Sequence, residues 1–404
     1  MSTIDKKRST KLLILLFIVY AVCFAVPNFA QYQFSPLAKQ IMEQYALDMG
    51  QFNSIFTAPM LPAIFTSIIC GLMVDRYGYK PVIGLSILLT VVGCWLRVIA
   101  PGYTVLFIGM ILVGFSGGFM SSNTSKVLAL LYGQEKVGVL AGMVLTCSTV
   151  TLVISMSTTA LLPSMKFAFI LSGVVSIIAL ALWIVFMPHI KPKDIAAAAA
   201  EGEKAPGLGE SLVAVMKTPA VWLTGIMMFC VCGTMAGTGS MIPAALQEVR
   251  GISEATAGVV GSMTMVGNLL GSLITPTICN KTGKFRPVLM ILGIICAACC
   301  VFAWKASGIV LYILMIILGY CLGSGMASGL GMAVRLHGIG AKYAGTAGGF
   351  VATLQLLGGV CLPTYIASGI AGGNYDTYFI VLGVACLVWM VTVFLMPKYL
   401  DTKL

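Results

Sequence analysis

Charge is what this chain has least of. Asp, Glu, Lys and Arg together supply 9% of its 404 residues, where a soluble globular domain carries about 25%. A chain so poor in charge cannot cover a water-soluble body with polar surface, which excludes a soluble enzyme and a soluble nucleic-acid binder. Disorder is excluded too, because disordered chains are polar and 59% of this one is hydrophobic. Histidine is nearly absent: His189 and His337 are the only two, and neither lies in the middle of an apolar run. Carboxylates are missing from those middles as well, since all thirteen Asp and Glu residues fall in loops or at run ends. Chemistry inside a membrane needs convergent nucleophile, acid/base or metal groups. Without them the chain is not expected to be an enzyme.

What the chain does have is long apolar runs. A bilayer core of about 30 Å takes roughly 20 apolar residues per helix. Twelve runs meet that length, near 12–34, 51–74, 81–100, 103–131, 137–162 and 166–188, then 219–247, 255–280, 287–305, 309–336, 343–369 and 375–397. They lack period-two alternation, so they read as helices and not as barrel strands. The basic start (Lys6, Lys7, Arg8, Lys11) before the first run resembles a signal peptide, but the run is too long for one, and an uncleaved first helix is expected.

The net charge of +11 is interleaved with the runs and forms no patch for nucleic acid. With the N-terminus cytoplasmic, only Lys39, Arg97, Lys166, Arg250 and Lys305 of the 24 Lys and Arg residues fall outside. That bias places both termini in the cytoplasm of a multi-pass protein of the cell's inner (plasma) membrane. Most of the thirteen cysteines sit inside apolar runs, where they act as small packing residues. The string Cys296, Cys299, Cys300 is read the same way, and no metal or cofactor is expected.

The longest break, 189–218, separates six spans in 1–188 from six in 219–404. It reads as a cytoplasmic linker whose end, 209–217, has the apolar spacing of a short surface helix. The halves carry a weak repeat. The loop after span two holds Gly71, Asp75, Arg76, Gly78, Lys80 and Pro81; the loop after span eight holds Asn280, Lys281, Gly283, Lys284, Arg286 and Pro287. Spans four and ten share a Gly-x-x-x-Gly step (Gly114/Gly118 and Gly319/Gly323), and Gly138/Gly142, Gly267/Gly271 and Gly325/Gly329 have the same spacing, all read as close-packing devices. Duplicated six-helix halves are a transporter signature.

Gly71-x-x-x-Asp75-Arg76-x-Gly78-x-Lys80 resembles the loop 2–3 signature of the major facilitator superfamily, and the twelve spans and the six-plus-six split extend that resemblance over the whole chain. The stretch from Asn123 to Gly138 is similar to the end of span four in the superfamily's anion-carrying branches. The resemblance implies an all-α fold of two pseudo-symmetric six-helix bundles, working by alternating access around a site lined by spans one, four, seven and ten. It also implies that Asp75, with Arg76 and Lys80, latches the halves on the cytoplasmic side. Gly71 would permit close helix approach and Gly78 a positive φ, while Asn280 in the second copy leaves that gate asymmetric. Purely interfacial charge is the alternative for the three charged residues.

The candidate binding residues follow from where polarity interrupts the spans. Lys126 lies roughly 13 Å from the centre of span four toward the cytoplasm, and Arg335 about one turn nearer the cytoplasm on span ten. Two cations beside an acid-free cavity favour an anion; snorkelling to the interface is the alternative for both, and the expected fate of Arg97. Uncharged candidates are Tyr20, Asn28, Gln31 and Tyr32 on span one, Asn123 on span four, Thr234 and Thr238 on span seven, and Ser328 on span ten. Asn268 and Gln355 sit mid-way along spans eight and eleven. Any one of these could instead serve helix–helix hydrogen bonding. Without a mid-membrane carboxylate, uniport, anion exchange or symport of a substrate-borne proton is expected, of a small anion such as a carboxylate, by a monomer, with a co- or counter-ion allowed. An exporter of drug-like or hydrophobic solutes is the alternative, supported by 24 methionines and opposed by Met110, which stands where drug exporters carry a span-four arginine.

Overall fold

The computed structural model describes residues 10–189, 213–333, 340–397 and 401. These are helical apart from short connecting turns and loops. The helices are α1 (Thr10–Tyr32), α2 (Ala38–Tyr45), α3 (Met49–Thr57), α4 (Leu61–Tyr77), α5 (Tyr79–Val98), α6 (Tyr103–Tyr132), α7 (Val137–Thr159) and α8 (Met165–Phe186). There follow α9 (Pro219–Glu248), α10 (Glu254–Thr282), α11 (Phe285–Phe302), α12 (Gly308–Ala333), α13 (Gly340–Cys361) and α14 (Tyr375–Leu395). Eleven helices among the described residues are long and apolar enough to cross a membrane. The run expected as span two is divided by a 3-10 turn, Ala58–Met60, between α3 and α4, so neither piece reaches the length alone. Residues 213–216 are helical where the description resumes after the linker; the rest of the expected surface helix lies outside the described residues.

Helix starts follow from side chains that satisfy free backbone N–H groups. Ser164 accepts from Phe167 N at 3.1 Å before α8, and Asn374 accepts from Thr377 N at 3.1 Å before α14. Asp48 and Gln51 form a reciprocal box at the start of α3, with N–O distances of 2.7 and 3.0 Å. The surface is inverted relative to a soluble protein: Phe65, Ile99, Ile154, Ile309 and Phe394 are exposed, whereas Asn53, Asn123, Thr234 and Ser240 are buried.

The described residues divide into two compact units. The first takes in those of Met1–Phe34, Ala58–Ser155 and Leu161–Glu203; the second takes in those of Ser35–Thr57, Met156–Ala160 and Lys204–Leu404. The division does not follow the linker alone, and the chain passes from one unit to the other at the 3-10 turn of span two. Inside the first unit α1 packs on α6 and α8, α4 on α6, and α5 on α6 and α8. The second repeats this pattern with α9 on α12 and α14, α10 on α12, and α11 on α12 and α14.

Lipid tails are as apolar as leucine, so helix association in a membrane rests on close packing and internal hydrogen bonds. The first unit's core joins Leu16, Tyr20 and Phe24 to Ile83, Ile87, Met120, Leu131 and Trp183. Trp183 donates to Lys80 O at 3.0 Å, and Tyr79 meets its ring edge-on at 6.2 Å. In the second unit the α10–α12 seam is a reciprocal glycine contact: Gly319 and Gly323 lie on the backbone of Thr264 and Asn268, and Gly267 and Gly271 on that of Ile316 and Tyr320. Gly138 and Gly142 do not share that role, since a Cβ at either would meet nothing within 4 Å among the described residues.

Candidate functional site

In the first unit the structure gathers three of the expected binding residues. Tyr20 of α1 is fully buried and its hydroxyl reaches Thr124 Oγ1 at 3.1 Å and Met120 O at 3.3 Å on α6. One turn along, buried Asn123 donates to Cys70 Sγ and Phe119 O, both at 3.0 Å. Lys126 is half-buried and close enough to Cys70 to interact with it electrostatically. Asn28 instead binds Ser148 of α7, with Nδ2–Oγ 2.7 Å. Gln31 and Tyr32 are buried near the end of α1.

In the second unit Thr234 and Thr238 are buried on α9. Thr238 returns its hydroxyl to Thr234 O at 2.7 Å, and Thr234 Oγ1 accepts from Cys386 Sγ at 3.7 Å. Asn268 Nδ2 approaches Met235 Sδ at 3.5 Å, and Gln355 lies beside Cys232. Ser328 is buried, and its hydroxyl has no partner among the described residues. Arg335 lies outside the described residues.

The expected gate is described in part. Gly78 adopts φ +86° and closes α4 with its N–H on Val74 O at 2.9 Å, which is the turn that a glycine was expected to supply. Arg76 is exposed and stacks on Tyr77 at 5.3 Å, while Lys80 Nζ donates to Ile184 O at 2.8 Å. Asn280 is exposed near the end of α10. Gly71 is helical within α4, and the side chain of Asp75 lies outside the described residues. A groove of about 470 Å³ beside Lys80, Leu88, Trp183, Ile184 and His189 is lined by none of the expected binding residues.

Two features escape the sequence reading. Arg97 does not snorkel: it is fully buried and is the only buried charged side chain among the described residues. Its Nη1 donates to Ala30 O at 2.7 Å and meets Met110 Sδ at 3.6 Å, its Nη2 donates to Ser172 Oγ at 2.5 Å, and the guanidinium lies 5.1 and 5.5 Å from the rings of Phe169 and Phe34. Ala30 O is one of the carbonyls that α1 leaves free by ending at Tyr32, and a cation there meets the negative end of the helix dipole. A guanidinium thus reaches Met110 from span three although span four has no arginine of its own. The second feature is a network around Asn53. Its Nδ2 donates to Ser368 Oγ at 3.0 Å, and its Oδ1 accepts from Ser240 at 2.6 Å and Tyr378 at 3.5 Å, all buried in the second unit. Thr57 and Thr364 share a bond of 3.2 Å beside it, next to a π-turn at Leu362–Ala367, a feature frequent at functional sites. An amide within an apolar run, the criterion that selects Asn268, would have selected Asn53.

A many-helix membrane protein with a polar interior, a repeated packing pattern and a Gly78 turn after span two is built as a transporter. Residues 12–363 match the family described as Major Facilitator Superfamily, and the chain belongs to it. The human solute carrier family 2, facilitated glucose transporter member 12 is 29% identical over 104 residues, covering 26% of this chain and 17% of that protein. The chain therefore matches about a sixth of that relative's length. An uncharacterized protein of Archaeoglobus fulgidus is 26% identical over 150 residues, covering 37% of this chain and 67% of its own. Among solved structures, the nucleoside transporter NupG superposes with a TM-score of 0.79 at 13% identity, over 95% of this chain and 99% of that one. A bacterial homolog to the human lysosomal transporter Spinster, inward-facing and unoccupied, gives 0.77 at 11% identity over 98% and 97%. Likeness at such identities is one of fold.

Proposed function

We propose that this transporter carries a small anion, a carboxylate in the first instance, across the inner (plasma) membrane by alternating access, as a monomer with both termini cytoplasmic. Residues 1–188 and 219–404 form the two halves, joined by the linker 189–218. One observation carries the reading: the single buried charge among the described residues is a cation, Arg97, and the half-buried Lys126 stands beside the Tyr20, Asn123 and Cys70 cluster. A charge in low dielectric attracts its opposite far more strongly than in water, so a positive, acid-free interior favours an anion and disfavours a lipophilic cation. Tyr20, Asn123 and Lys126 would meet the cargo from the first half. Thr234, Thr238, Asn268, Ser328, Gln355 and Arg335 would meet it from the second, with Asn28, Gln31 and Tyr32 framing span one.

Because no carboxylate is buried among the described residues to carry a proton, the coupling is uniport, exchange, or symport of a proton borne by the cargo. Gly71, Asp75, Arg76, Gly78, Lys80 and Asn280 form the cytoplasmic gate. A thermal-stability screen of purified protein tests the cargo class. A small carboxylate at a hundred times its Kd should stabilise the fold by about 2.7 kcal/mol. Lys126→Gln should weaken that binding about tenfold, or about 1.4 kcal/mol. Equal stabilisation of both proteins by carboxylates would remove Lys126 from the site.

A further inference from the structure

Cys296 and Cys300 are four residues apart on α11 and so share one helix face, while Cys386 meets them from α14. Their three Sγ atoms lie within 4.8 Å of one another, and those of Cys296 and Cys386 are 3.4 Å apart. All three are buried and free of disulfides. Small residues bring the helices this close: a Cβ on Gly293 would stand 3.2 Å from that of Met390, and one on Gly383 would stand 3.2 Å from Ala297 O. The structural set differs from the sequence string, because Cys386 replaces Cys299.

A cation bound at about 2.3 Å from each of three sulfurs holds them about 4 Å apart, a separation between the 3.4 Å of Cys296 and Cys386 and the 4.8 Å within which all three sulfurs lie. No histidine or carboxylate joins the cluster among the described residues. An all-sulfur set favours soft ions such as Cu(I) over Mg²⁺ or Ca²⁺. Charge then selects the valence. Three thiolates around a divalent ion would bury a net negative charge in an apolar bundle, which is costly. One thiolate and two thiols around a monovalent ion are neutral.

We propose that Cys296, Cys300 and Cys386 form a buried binding site for one soft monovalent cation, Cu(I) or its chemical analogue Ag(I). On binding, one thiol releases its proton to water, a metal–sulfur bond takes the place of that S–H bond, and two neutral thiols donate lone pairs. No electrons are transferred. The bound ion would staple α11 to α14 within the second unit, whatever the cargo.

The test uses the reduced full-length protein in detergent, without oxygen, with Cu(I) delivered from a competing chelator. The expected result is one tightly held equivalent per chain, with X-ray absorption showing three sulfurs at about 2.3 Å. Cys386→Ser and Cys300→Ala should each weaken uptake at least about tenfold, and Cys147→Ser, at an exposed position on α7, should leave it unchanged. Absorption on the wild-type protein decides the matter if a variant fails to fold. No stoichiometric uptake, fewer than three sulfur neighbours, or uptake that survives both core substitutions would overturn the proposal.

Discussion

Arg97→Lys should destabilise this transporter by roughly 3 kcal/mol, although it keeps the charge. A desolvated guanidinium against an aromatic face contributes about 2 kcal/mol or more, and Arg97 has two such faces in Phe34 and Phe169. Its fork also binds Ala30 O of α1 and Ser172 Oγ of α8 at once, and an ammonium lacks both the planar fork and the stacking surface. Two terms oppose each other in Arg97→Met. Removing a buried charge relieves its desolvation, but Ala30 O loses its partner at a cost of about 1–3 kcal/mol. Chemical or thermal unfolding in detergent measures both variants. A lysine variant within about 0.5 kcal/mol of wild type would show that the ring and carbonyl contacts contribute little.

Gly323→Leu should abolish folded protein. Even a methyl group there would stand 2.0 Å from Asn268 O, and at Gly319 it would stand 1.8 Å from Thr264 O. Backbone atoms of a packed helix cannot give way as a flexible side chain can, so the overpacking cost exceeds the usual range of about 1–3 kcal/mol. The same spacing on α7 predicts the opposite outcome. Gly138→Ala and Gly142→Ala meet nothing within 4 Å among the described residues, and should leave stability unchanged or raise it by up to about 1 kcal/mol through helix propensity. Monodisperse yield on size exclusion, followed by unfolding, separates the two cases. Equal tolerance at Gly323 and Gly142 would contradict the seam.

These two cases also mark how far the sequence carries. Gly-x-x-x-Gly spacing states that a flat stripe exists, not that a helix lies on it; Gly319/Gly323 and Gly138/Gly142 are alike until neighbours are known. Long apolar runs located the spans to within a few residues, because lipid forces every backbone group into a helix. Span two was expected as one helix and is broken at Ala58–Met60, with Pro59 and Pro62 on either side of Met60 lacking N–H donors. Arg97 sits near the end of its run, where composition is the same whether a side chain turns inward or outward; burial decides, and burial depends on α1 and α8. Tyr20, Asn123 and Lys126 were legible because polar residues are costly in an apolar span. The pairing of Asn53 with Ser240, Ser368 and Tyr378 joins residues up to 325 positions apart, beyond any local pattern. The cysteine string likewise concealed that its third partner lies on another helix.

The central claim is that a positive, acid-free interior selects negative cargo. Uptake by the purified protein in liposomes, challenged with a panel of small carboxylates and inorganic anions against lipophilic cations, tests it most directly. Competition by the anions alone, reduced in Lys126→Gln, is the predicted result. Transport of lipophilic cations with no response to any anion would contradict it.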